Sequence, residues 1–107
     1  MRSRALTLGK IADILHDRGE LEEALRILIE ELLPVFEELG DVHSRAATLG
    51  KIAQIHLVRG ELDQALELNE QRRPIAEKLR DIDSLAHIHL LNAQIAPKRS
   101  TQASSFP

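Results

Sequence analysis

Histidine is the side chain in this sequence best suited to metal binding or proton transfer near neutral pH. There are five: His16, His43, His56, His87 and His89. His87 and His89 stand two residues apart. On a helix such neighbours point to different sides, so they cannot chelate one ion. Cysteine is absent, which removes disulfides, zinc-thiolate sites and thiol nucleophiles. The sequence carries no HExxH pair, glycine-rich phosphate loop or nucleophile elbow. The acidic runs Glu-Leu-Glu-Glu at 20–23 and Glu-Glu-Leu-Gly at 37–40 read as helix-start charge and a solvated face. Arg72-Arg73 reads as surface charge, and His56 as a partly buried, hydrogen-bonded packing residue. These residue types and spacings predict no catalytic residue, no metal site and no cofactor, and therefore no enzyme.

Composition narrows the class further. The 107 residues contain 14 basic and 17 acidic side chains, two Phe, no Trp and no Tyr. Leu, Ile and Ala dominate the apolar content, and a Gly-poor chain of this kind with 29% charged residues has a helical composition. A net charge of −3 gives no electrostatic footprint for nucleic acid. No apolar run approaches the roughly 18 residues a membrane span needs. The opening MRSRALTLGK lacks the long apolar stretch of a signal peptide. A soluble, cytoplasmic, all-α protein is expected, with neither nucleic acid nor membrane as partner.

The elements that must position any functional side chain are set by an internal repeat. RALTLGKIADILHDRGELEEAL at 4–25 matches RAATLGKIAQIHLVRGELDQAL at 45–66 in 15 of 22 positions, at an offset of 41. Pro34, Asp41 and Ser44 recur as Pro74, Asp81 and Ser84 at an offset of 40, so the second unit is one residue shorter. A third copy starts at Leu85, and Ala-Gln-Ile at 93–95 echoes 53–55. Self-similarity at such a period marks a stacked repeat architecture. The repeats run over about 4–44, 45–84 and, in part, 85–96. Together they form one domain over 1–96, followed by a polar tail at 97–107 expected to be disordered.

Each unit reads as two helices. Ala5, Leu8, Ile11, Ala12 and Leu15 fall at helical spacing, as do Ala46, Leu49, Ile52, Ala53 and His56. Gly19 and Gly60 end these first helices in left-handed turns. Second helices follow, carrying Leu21, Ala24, Leu25 and Leu28, or Leu62, Ala65, Leu66 and Leu68. The expected spans are 3–17, 20–39, 43–58, 61–79 and 82–95. Pro34 and Pro74 fall inside the second helices, where proline removes a hydrogen bond and clashes with the preceding turn. Each helix is either kinked there, or ends and restarts with Pro in a new first turn. Ala12, Ala24, Ala53 and Ala65 are placed where paired helices cross.

A helix–turn–helix unit with these residues resembles a tetratricopeptide repeat. The match rests on Leu8, Ile11, Ala12, Leu15, Gly19, Leu21, Ala24 and Leu28, and on Leu49, Ile52, Ala53, His56, Gly60, Leu62, Ala65 and Leu68. The common unit is about 34 residues, so these longer units, with leucine, isoleucine or histidine in place of the usual aromatics, are most similar to a long-unit bacterial class of about 40–42 residues. The resemblance implies an α-solenoid of antiparallel helix pairs, about two and a half repeats long. It also implies a concave face lined by the first helices. Projected onto that face are Leu6, Gly9, Asp13, His16 and Asp17, then Ala47, Gly50, Gln54, Leu57 and Val58, then His87, Leu90 and Gln94. A mid-helix glycine costs about 0.5–1 kcal/mol relative to alanine. Gly9 and Gly50 therefore imply a close approach, either of a packed helix or of a ligand.

The expected function is a protein-interaction scaffold that binds a protein or peptide segment in this face, or a second copy of itself. The alternative is a regulatory module that senses a ligand or peptide and controls an effector. Self-association is expected through Leu85, Ile88, Leu90 and Leu91, which are distributed around most of the last helix. An apolar helix end without a covering neighbour loses about 25 cal/mol for each Å² left wet. A homo-oligomer would remove that loss.

Overall fold

Left-handed turns set where the helices stop. Gly19 and Gly60 have φ of 81° and 79°, and after each the chain closes back with the same bond: Glu20 N–H donates to Leu15 O and Glu61 N–H to His56 O, both at 2.8 Å. The junctions between units repeat the device. Gly40 has φ 67° and Arg80 φ 53°, with Asp41 N–H on Phe36 O and Asp81 N–H on Ala76 O. Each junction also starts a helix. Asp41 accepts from the Ser44 backbone N–H and hydroxyl at 3.1 and 2.8 Å, and Asp81 does the same for Ser84 at 3.1 and 2.7 Å. The recurrence of Asp and Ser in the sequence is thus a repeated N-terminal cap.

The computed structural model describes the backbone of residues 2–103 and the side chains of residues 4–94. Six α-helices and one π-helical segment result: α1 (Arg2–Asp17), α2 (Leu21–Arg26), the π segment Ile27–Leu32, α3 (Leu33–Leu39), α4 (Val42–Val58), α5 (Leu62–Leu79) and α6 (Ile82–Ala103). Helix α1 pairs with the α2–α3 column, α4 pairs with α5, and α6 lies on α5 and α4. The product is an all-α solenoid measuring 53 × 33 × 19 Å. Ala12, Ala24, Ala53 and Ala65 are 0–1% exposed; small side chains at these places let helix axes approach closely. One core joins Ala12, Leu28 and Leu32 to Ile52 and Ile55, and a second joins Leu57, Leu62 and Ala65 to Leu91.

The π segment accounts for the unequal unit lengths. Leu25 to Pro34 is nine steps, whereas the matching Leu66 to Pro74 is eight. A π turn is the way a helix absorbs one extra residue, and here Leu33 N–H reaches back five residues to Leu28 O. On either side of Ile29 burial stays in step: Leu28 matches Asn69 and Leu32 matches Arg72, and all four are buried. The insertion falls within residues 29–31, of which Ile29 is 44% exposed and has no counterpart if Glu30 is matched to Glu70. The two prolines consequently differ. Pro34 stands in the first turn of α3, after the π segment, while Pro74 lies inside an unbroken α5.

The last helix is longer than the expected 82–95: α6 continues through Pro97 to Ala103. Residues 104–107 lie outside the described residues. A proline inside a helix removes one backbone donor without ending it, as Pro74 also shows.

Candidate functional site

Helices α1 and α4 run side by side over the α2–α3 column and leave a groove of about 330 Å³ between them. Its floor is Ala5, Leu32 and Phe36. Gly9 opens it: the nearest atom an added Cβ would meet is Leu32 Cδ1, at 3.9 Å. Leu6, Gly9, Lys10 and Asp13 form one wall, and His43, Ser44, Ala47, Thr48 and Lys51 the other. Lys51 Nζ pairs with Asp13 at 3.0 Å across the two helices, bridging the walls at one end. Beyond that bridge lies a smaller hollow of about 150 Å³, which includes His16 and Gln54. Thr48 is buried, its hydroxyl donating to Ser44 O at 2.8 Å.

Six of the ten residues projected from the first two units thus border these spaces: Leu6, Gly9, Asp13 and Ala47 the groove, His16 and Gln54 the hollow. Four do not. Asp17 is exposed at the end of α1. Val58 is 62% exposed but stands at the end of α4, outside either space. Leu57 is 7% exposed because it packs into the second core with Leu62 and Leu91. Gly50 is buried under the guanidinium of Arg72, which an added Cβ would overlap. Leu57 and Gly50 are therefore corrected from surface to core.

Arg72 is the residue that sequence reasoning missed. It is 3% exposed and donates from Nη2 to His87 Nδ1 at 2.8 Å, while its Nε finds no partner. Its repeat equivalent is Leu32 and that of His87 is Ala47, each 40 residues earlier. The first unit thus has an open groove over Leu32. In the second, the corresponding place between α4 and α6 holds Arg72 and His87. Burial lowers the pKa of each below its ordinary value, opposed at Arg72 by the charge of Asp81 and reinforced at His87 by that of Arg72. The signal in the sequence was the exchange of leucine for arginine at a core position of the repeat.

Elsewhere the titratable groups serve structure. His56 Nδ1 lies 2.8 Å from Glu61, and that bond, with Arg59 nearby, holds the Glu61 carboxyl below the usual range. Asp81 is likewise held low by its bonds to Ser84 and by His43. Among the described residues no group of three His, Asp or Glu side chains could hold a metal ion, and no helix is long and apolar enough to cross a membrane.

The four residues expected to drive self-association separate by burial. Ile88 is 0% and Leu91 3% exposed, because α6 turns that stripe onto its neighbours, with Leu91 in the second core; these two are corrected to core. Leu85 is partly buried. Leu90 is 56% exposed.

A family model described as tetratricopeptide repeat matches residues 3–78. No curated protein and no solved structure matches the chain.

Proposed function

The chain belongs to the tetratricopeptide repeat family, whose repeats generally serve protein–protein interaction, and from that premise we propose that it binds a segment of a partner protein in the groove between α1 and α4. The groove itself carries this reading: an apolar floor of Leu32 and Phe36, with Lys10, Asp13 and Lys51 along its walls. Binding sites join an apolar floor to a few polar groups that fix orientation, and run about 300–1,000 Å³; at about 330 Å³ this one suits an apolar anchor of a peptide. Peptides selected on the protein from a displayed library test the reading. Ala47→Arg should weaken their binding at least about tenfold by filling the groove, and Val58→Arg should leave it unchanged. Equal affinity for the Ala47→Arg variant would refute it.

A second reading, self-association, is supported by Ile82 and Leu90, 77% and 56% exposed on α6. Leu90 occupies the repeat position of Gly9 and Gly50, where the earlier units receive a side chain from the following helix. Light scattering across a concentration series should show a dimer or larger species that Leu90→Glu shifts toward monomer. A mass independent of concentration and of this substitution would end the reading.

A further inference from the structure

The contact between α5 and α6 keeps an apolar part, Leu62 and Ala65 on Leu91, but three of its positions differ in kind from their counterparts one repeat earlier. Between the α2–α3 column and α4, the buried positions are Leu28, Leu32 and Ile52. The repeat-equivalent positions between α5 and α6 are Asn69, Arg72 and Asn92. Asn69 donates to Asn92 Oδ1 at 2.9 Å, and Arg72 to His87. The bonding is incomplete: Asn69 Oδ1 and Arg72 Nε are buried without a hydrogen-bond partner. Buried polar groups left unpaired weaken an interface. The hinge is strained as well. Arg80 holds φ 53° where the equivalent Gly40 holds 67°, a region that side chains with a Cβ disfavour.

We infer that α6 is a detachable helix whose docking is released when His87 takes up a proton. The geometry sets the direction. An arginine can only donate, so His87 Nδ1 must be the acceptor and the ring must be neutral with its proton on Nε2. Protonation at Nδ1 replaces that acceptor with a donor and sets two cations 2.8 Å apart beside a guanidinium that is only 3% exposed. The titratable groups around the contact are Arg72 on α5, Asp81 at the head of α6 and His43 on α4. Asp81 supplies a counter-charge to Arg72, but its carboxylate oxygens accept from Ser84 and one faces His43 Nε2 at 3.4 Å, so its hydrogen bonds do not go to His87.

The sign follows from linkage. Burial and Arg72 lower the pKa of His87 in the folded chain, so with α6 detached the ring binds a proton more readily. Docking is intact above about pH 6.5, the ordinary histidine value. It weakens as pH falls from there through the lowered value, by about tenfold in the opening equilibrium per pH unit within that window.

Amide hydrogen exchange from pH 7.5 to pH 5, corrected for intrinsic rates and read helix by helix, tests this. The expected result is a loss of protection in α6 with acidification below pH 6.5, at most about tenfold per pH unit and levelling off at the lowered His87 pKa, while α1 and α4 keep theirs. His87→Gln, which keeps an acceptor and cannot titrate, should remove the pH dependence. So should the double variant Arg72→Leu with His87→Ala, which copies the Leu32–Ala47 pair of the first unit and guards against a misfolded single variant. His43→Gln should leave the dependence in place. Protection of α6 that does not change with pH would overturn the inference. So would a pH dependence that survives in both His87 variants, or a loss of protection equal in every helix.

Discussion

Gly9 and Gly50 stand at the same point of successive units, yet their surroundings assign them opposite duties. At Gly9 an added methyl meets Leu32 Cδ1 at 3.9 Å, an ordinary contact, so the position has room. At Gly50 the same methyl overlaps the Arg72 guanidinium, and the small residue is what allows a cation to lie in the core. Gly9→Ala should therefore raise stability by about 0.5–1 kcal/mol, the helical cost of glycine recovered. Gly50→Ala should lower it by about 1–3 kcal/mol through overpacking. Combining Gly50→Ala with Arg72→Leu should recover much of that loss, because in the first unit a leucine at this position leaves room for a methyl at Gly9. Urea denaturation of the wild type, these three variants and Arg72→Leu alone measures all three, and additive effects for the pair would contradict the contact.

At the scale of elements, the extra residue in the first unit is confined to the π segment. Deleting Ile29 should convert Ile27–Leu32 to ordinary helix and leave a cooperatively folded chain, since the flanking Leu28 and Leu32 then take the register of Asn69 and Arg72. Deleting Glu70, exposed in the matching stretch of α5, should instead turn everything after it by about 100° and misplace Arg72 and Ala76. Thermal unfolding followed by helical circular dichroism distinguishes them: a sharp transition is expected for the first deletion, and a broad or absent one for the second. The helices and their turns were legible in the sequence because glycine, the Asp–Ser caps and the crossing alanines recur with the repeat. The length difference was legible too, but not the hydrogen-bond register that absorbs it. The end of α6 was missed because Pro97 reads as a stop, whereas one lost donor is tolerated. Half of the groove was legible as a face of α1 and α4. Its floor was not, because Leu32 and Phe36 come from the other helix layer. Arg72 was hidden for a different reason: a charged pair such as Arg72-Arg73 reads as solvated unless it is laid over the repeat.

Across the whole molecule, two quasi-equivalent spaces follow from one repeat, and substitution has separated them. The space between α1 and α4 is open over Leu32; the one between α4 and α6 is occupied by Arg72 and His87. On the function proposed above, partner recognition falls to the first, and the second holds the last helix. Amide chemical-shift mapping of a bound library-selected peptide tests this division most directly. Resonances of Gly9, Ala47 and Thr48 should move while those of Gly50 and His87 stay; shifts confined to Gly50, His87 and the rest of α6, with Gly9 unmoved, would contradict the division.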